Sequence, residues 1–371
     1  MLESLLEEYE AFQIINVLGF LIGLTFGVIA QKAQFCFSGS IKDYLQTGST
    51  RRGASVIMAM IVAIISTTVL TGHFGLDVTE SYYFRENINY FAIILGGALF
   101  GSGMMIADGC SSRNLIKFAQ GDTYSLVTII FIGIFAFATT KGIMNDMVSV
   151  VTKNETLIAW SSAISNSQLN IYVVLALLLV ALVVLIKAKF KRVFSLYDGA
   201  IVGLLVAAGW LVTGVIGEES IEREVQFGSL SFVYPTGQTL EFFSYYSVSE
   251  LNFGIAVILG VVLGAFLMSK KNKRYSFGCT SNIKRNKLAY NMVGGAMMGV
   301  GGVVAIGCTV GQGLTGLSTL AFSSVLAILS IGISGLITAI FLNKQDKLPM
   351  CFIFEFEDEK NTKYKEPEYT I

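Results

Sequence analysis

Apolar blocks of roughly 20 residues recur along the chain, parted by short stretches where charged residues and turn formers collect. The blocks fall at about 13–31, 53–76, 89–107, 123–140, 169–187, 197–217, 251–269, 288–307 and 323–342. A helix of about 20 apolar residues crosses a ~30 Å hydrocarbon core. The pattern therefore predicts an all-α polytopic membrane protein of about nine transmembrane helices. Three blocks end in a cysteine set among small hydroxyl residues and glycines, and a further apolar segment follows each. Such stretches predict short re-entrant helices, which are tolerated at membrane depth only where they line a cavity.

Composition agrees with this reading. Hydrophobic residues make up 53% of the 371 positions and charged residues only 14%, with a mean hydropathy of +0.66. A soluble domain carries about 25% charged residues. Thirty-eight glycines against three prolines suit helices packed closely through small residues. The net charge of zero hides a strong asymmetry, and nothing points to nucleic acid. The segments 32–52, 108–122, 187–196, 270–287 and the tail hold 22 of the 26 lysines and arginines. The other side keeps only Arg85, Lys141, Lys153 and Arg223. The positive-inside rule then sets the N-terminus outside and the C-terminus in the cytoplasm, which an odd number of spans requires. The acidic start, Met1 to Glu10, lacks a basic region before the first apolar block and argues against a cleaved signal peptide.

Fifteen residues occur twice. Gly96 through Cys110 aligns without gaps on Gly294 through Cys308, with eight identities: Gly96/Gly294, Gly97/Gly295, Ala98/Ala296, Gly101/Gly299, Gly103/Gly301, Ala107/Ala305, Gly109/Gly307 and Cys110/Cys308. Chance would give about one or two. The expected topology runs the two copies in opposite directions, an inverted repeat about a pseudo-twofold axis in the membrane plane. The expected organisation is one integral membrane domain made of a first half, 1–186, an inverted second half, 197–342, and a cytoplasmic tail, 343–371. Glycine spacing that merely packs helices would not explain why both copies stop at Gly-Cys.

The chemistry gathers around cysteine. Of Cys36, Cys110, Cys279, Cys308 and Cys351, none forms a Cys-x-x-Cys pair, and His73 is the single histidine, so neither zinc nor another cofactor is expected. Cys36, Cys110 and Cys308 are the expected substrate pathway. Gly109, Ser111, Arg113, Lys117, Gly307, Thr309 and Gln312 supply supporting anion contacts. A re-entrant helix offers an anion its free N–H groups and the positive end of its dipole. Arg113 and Lys117 add charge that is costly at membrane depth unless functional or hydrated. A protonated thiol is a weak donor and a soft, polarizable group. Several in series can pass an anion with a terminal sulfur from one weak site to the next, as conduction requires. Cys279 reads as a degenerate counterpart of Cys36, and Cys351 as incidental.

These segments resemble the YeeE/YedE family, the sulphur-transport family whose characterised branch takes up thiosulfate. The resemblance runs through Gln31–Ser40, the Gly109-Cys110 loop with Arg113 and Lys117, Gly199–Gly203 to Gly209–Gly214, Ser231–Gly237 and, most specifically, Gly307-Cys308-Thr309-Val310-Gly311-Gln312-Gly313-Leu314-Thr315-Gly316. It implies an hourglass-shaped bacterial inner-membrane protein, surrounded by membrane lipid, whose narrow centre relays thiosulfate by S–H···S contacts. Cys36, Cys110 and Cys308 correspond to that centre. A small cytoplasmic sulfurtransferase is the implied partner. The family pattern often has His after Gly311, where this chain has Gln312, and the acidic tail from Phe352 matches nothing in it. A permease for another sulfur or selenium species is the alternative within this class. A membrane thiol–disulfide enzyme is the alternative from another class, and it lacks vicinal cysteines here. There is no phosphate-binding loop for ATP.

Overall fold

The computed structural model describes residues 10–84, 88–152, 168–189, 196–217, 225–244, 250–277 and 287–349. Cys279 and Cys351 lie outside these residues.

Among the described residues the chain is helical throughout. Helices α1 (Ala11–Ala33) and α2 (Phe37–Gln46) are separated by a turn at Gln34, and α3 spans Arg51–Phe74. Helices α4 (Tyr90–Ile106) and α5 (Ser111–Ala119) are again parted by a short break, before α6 (Thr123–Thr140) and α7 (Asn145–Thr152). Helix α8 is Ile171–Lys189; α9 (Tyr197–Leu211) continues into a wider π-turn at Val212–Ile216. Helices α10 (Tyr234–Ser244), α11 (Phe253–Lys271) and α12 (Lys287–Val304) follow, then a second π-helical stretch, Gly311–Gly316, and α13 (Phe322–Lys344). Among the described residues, seven stretches are long and apolar enough to cross a membrane: 11–46, 51–74, 90–119, 123–140, 197–216, 253–271 and 322–344. The two other expected blocks, α8 and α12, are helical but not among the seven.

The packing inverts that of a soluble protein. Val69, Ile333, Ile337 and Phe341 are exposed, whereas Lys42, Arg51, Arg52, Asp108, Arg113, Lys117, Asp122 and Asp198 are buried. Apolar side chains outside and paired charges within are what a lipid solvent selects. The chain is a multi-pass membrane protein.

Glycine decides which helices touch. Where no Cβ intervenes, backbones approach closely, the main route to helix association without a hydrophobic drive. Helices α1 and α11 run parallel, Gly19 meeting Phe253, Gly23 meeting Val257 and Gly27 meeting Val261. Helices α3 and α9 pair likewise through Gly199 against Ser55 and Gly203 against Ala59. The two copies of the duplicated segment, α4 and α12, pack against each other antiparallel. Gly96 faces Gly301 and Ala305, while Gly103 faces Gly294 and Met297. Each copy also carries a parallel neighbour. Gly97 and Gly101 of α4 take up α13 at Ala327 and Ile331, and Gly295 and Gly299 of α12 take up α6 at Thr128 and Ile132.

Candidate functional site

Three breaks in the helices build the site. After α1, Gln34 adopts a left-handed φ of 57° and Cys36 becomes the N-cap of α2, its Sγ accepting the Gly39 N–H at 3.2 Å. After α4, Asp108 and Gly109 take φ of 62° and 156°, and Cys110 is the N-cap of α5. After α12, Ile306 and Gly307 repeat that turn at 59° and 156°, and Cys308 Sγ accepts the Gly311 N–H at 3.3 Å. The hydrogen bonds repeat too: Gly109 N–H reaches Met104 O at 2.9 Å, and Gly307 N–H reaches Gly302 O at 2.7 Å. A β-branched residue in the left-handed region is a backbone outlier that costs about 1–3 kcal/mol. Ile306 sits in that region, so the turn is held by its surroundings, including the Gln312 Nε2 bond to Ala305 O at 2.6 Å.

The breaks converge on a cavity of about 10 Å³ lined by Phe35, Cys36, Phe37, Val56, Cys110, Ser112, Thr309, Val310 and Leu314. That is about the least room a water needs, so the path is constricted here. Cys36 and Cys110 bring their thiols against each other, and all three cysteines on these breaks are unbridged and buried. Ser38 Oγ lies 3.1 Å from the Cys36 sulfur and Ser112 Oγ lies 3.4 Å from the Cys110 sulfur. Cys308 stands one residue behind the wall, and its neighbours Thr309 and Val310 form that side.

Charge is distributed unevenly around the cavity. Arg113, buried on α5, donates from Nη2 to Gln34 Oε1 at 2.5 Å and lies in electrostatic range of both Cys36 and Cys110. Its Nη1 has no hydrogen-bond partner among the described residues, and neither do Ser111 Oγ and Gln312 Oε1. Buried polar atoms left unpaired cost about 1–3 kcal/mol each, so each such group calls for a reason. Lys117 is engaged elsewhere, 2.7 Å from Asp108 Oδ2 and 3.6 Å from Asp122 Oδ2. Lys42 lies 2.7 Å from Asp108 Oδ1. Opposite these groups, the buried phenol of Tyr83 donates to Gly311 O at 2.8 Å. Burial pushes that phenol well above its ordinary range, so it stays a donor.

The structure thus gathers Cys36, Cys110 and Thr309 at one cavity with Ser112, and keeps Cys308, Gly109, Ser111, Arg113, Gly307 and Gln312 in the turns and helix starts around it. Lys117 points into an ion-pair cluster. Gln34, Lys42, Asp108 and Tyr83 were not anticipated. Asp108 did leave a trace: it is one of the seven positions where the two copies differ, opposite Ile306.

Buried charge, lipid-facing apolar helices and broken helices meeting at a constriction define a membrane transport protein. Residues 32–338 match the sulphur transport family, and the chain belongs to it. Membership places it among transport proteins and not among enzymes. A thiosulfate transporter, TsuA, of Spirochaeta thermophila is 27% identical over 336 residues, covering 83% of this chain and 93% of the relative. TsuA of Escherichia coli is 22% identical over 323 residues, covering 80% and 86%. A probable transporter of Escherichia coli, YedE, is 27% identical over 107 residues, which span 29% of this chain and 25% of the relative.

Proposed function

We propose that this protein takes up thiosulfate across a bacterial inner membrane by passing it along Cys36, Cys110 and Cys308. The observation that carries this reading is one constricted cavity with two adjoining thiols, a third thiol just behind its wall, and Arg113 beside it with an unpartnered buried N–H group. Arg113 and the free N–H groups at the broken helices attract the oxygens of a dianion. The protonated thiols meet its terminal sulfur through S–H···S contacts, each weak enough to let go. The cavity is smaller than the ion, so passage requires the walls at Phe35, Phe37 and Leu314 to part.

Nine spans, an outer N-terminus and a cytoplasmic C-terminus complete the reading, with the halves 1–186 and 197–342 forming one inverted repeat and 343–371 the tail. Its support lies in the antiparallel contact of α4 with α12, the matched turns at Asp108 and Ile306, and the equivalent pairings α4–α13 and α12–α6. Lys117, expected as an anion contact, is held by Asp108 and Asp122 beside the path. A cytoplasmic sulfurtransferase is the expected acceptor on the inner face.

Uptake of labelled thiosulfate by cells lacking their own transporter tests the reading. Cys110→Ser and Cys308→Ser together keep size and a donor but remove the soft sulfur, and uptake should fall about fivefold or more if each thiol's contact with the terminal sulfur is worth about 0.5–1.5 kcal/mol, the range of a hydrogen bond. Excess sulfate should compete poorly. Unchanged uptake in the double variant, or sulfate competing as well as unlabelled thiosulfate, overturns the thiol relay.

A further inference from the structure

Beside the cavity, but outside the thiol path just described, lies a cluster of four charged side chains. Asp108 is gripped on both oxygens: Lys42 of α2 at 2.7 Å on Oδ1 and Lys117 of α5 at 2.7 Å on Oδ2. Lys117 also donates to Asp108 O at 3.1 Å and lies 3.6 Å from Asp122, whose carboxylate accepts Ser125 Oγ at 2.8 Å. Lys42 also donates to Pro349 O at 3.1 Å. Every member is buried, the side chains of Lys42, Lys117 and Asp108 being 4%, 2% and 6% exposed.

Position makes the cluster more than a strut. Asp108 sits two residues before Cys110, in the turn that aims it. Lys42 and Lys117 stand on the two half-helices that begin at Cys36 and Cys110. Asp108 is in electrostatic range of Arg113, and Lys42 of Cys36. The other copy of the duplicated segment has Ile306 at this place in the same left-handed turn. The fold therefore needs no carboxylate to make the turn.

Buried ion pairs add little stability compared with apolar side chains of the same size. Their effect on the local charge is large, however. With Asp108 and Asp122 in place the two lysines are balanced, Arg52 is matched by Asp43 at 3.2 Å, and Arg51 lies in the field of Asp198. Arg113, whose Nη1 has no hydrogen-bond partner among the described residues, then stands ready to meet the anion. Without Asp108, the two lysines on the half-helices that begin at the thiols would face a dianion in a medium that screens little, and the ion would be held rather than passed.

We propose that Asp108 is a fixed internal counter-charge that keeps Lys42 and Lys117 from trapping the anion, and so sets its rate of release from the Cys36–Cys110 constriction. Asp108 touches no substrate and acts through the two lysines. The inference rests on the anion-transport reading but not on thiosulfate being the ion.

The test uses full-length protein, purified and reconstituted in liposomes, with thiosulfate and sulfate as separate probes. Asp108→Asn should tighten binding of the transported dianion by about tenfold, the lower end of couplings between close buried charges, while the maximal uptake rate falls. A merely structural loss would lower rate and affinity together. Removing one lysine as well, in Asp108→Asn with Lys42→Met, leaves Lys117 paired with Asp122 and should return both quantities to near the wild-type values. Should Asp108→Asn fail to reach the membrane, Lys42→Met alone decides. It leaves Asp108 with one lysine and should weaken binding several-fold; unchanged or tighter binding overturns the inference. Weaker or unchanged affinity in Asp108→Asn, or no recovery in the paired variant, overturns it too. If thiosulfate is not transported at all while Asp108→Asn tightens sulfate, the substrate assignment fails and the counter-charge stands. No tightening of either dianion removes the counter-charge whatever the substrate.

Discussion

At the scale of single residues, the site is built from side chains whose partners are remote in sequence. Arg113 is fixed by Gln34, 79 positions away, and Lys42 by Asp108, 66 positions away. The three cysteines were legible because the duplicated segment ends on two of them and all three share a polar, glycine-rich setting. The pairings were not, because hydropathy and spacing carry no information about which buried cation meets which carboxylate. Lys117 looked like a spare charge beside Cys110 for this reason, whereas two aspartates hold it. Tyr83 left no mark in the sequence at all. Its phenol holds Gly311 O, and the Gly311 N–H in turn holds the Cys308 sulfur. Tyr83→Phe keeps the ring but strips a buried carbonyl of its donor, at a cost of about 1–3 kcal/mol. Thermal unfolding in detergent should show that loss. A phenol whose pKa is raised on folding contributes fully below its unfolded value of about 10 and loses its contribution as pH climbs toward the folded value. The difference between wild type and Tyr83→Phe should therefore be flat from pH 6 to 9 and shrink only above that range. A difference that grows with pH would assign the phenol another role.

At the scale of elements, periodic apolar blocks gave the helices almost to their ends. What they could not give is the interruption chemistry: the π-helical stretches at Val212–Ile216 and Gly311–Gly316, and short helices such as Asn145–Thr152, which have no span-length apolar signal. The glycines were read as packing residues, and the contacts show which partner each admits. A Cβ at Gly301 would stand 2.6 Å from Gly96 O and 2.6 Å from Phe100 N, both backbone atoms that cannot rotate away. Gly301→Val should therefore part α4 from α12, costing at least the ~1–3 kcal/mol typical of overpacked cores. Less folded protein should survive extraction, and uptake should be lost with it. Gly72 is the control, because nothing lies within 4 Å of its would-be Cβ. Gly72→Ala should be neutral or slightly stabilising, as removal of a helical glycine usually is. Equal tolerance of both changes would mean that the α4–α12 contact does not hold the two copies together.

At the scale of the whole molecule, the distribution of charge along the chain makes a claim about direction. Parallel pairing of α1 with α11, α3 with α9 and α4 with α13, together with the antiparallel crossing of α4 and α12, fixes the direction of each of those helices relative to its partner. Their common orientation in the membrane is a separate matter, resting on where lysine and arginine collect. The proposed orientation puts the end of α6 outside and the end of α11 in the cytoplasm. Ile143, 92% exposed just beyond α6, and Lys273, exposed just beyond α11, are suitable reporters. Each is replaced by Cys in a chain whose Cys279 and Cys351 are Ala, leaving the three buried thiols shielded. A membrane-impermeant maleimide should label position 143 in intact cells and position 273 only after permeabilisation. Reversal at both positions reverses the whole chain. That outcome would place the Asp108 cluster at the outer face, where a counter-charge beside the constriction would control capture of the anion instead of its release.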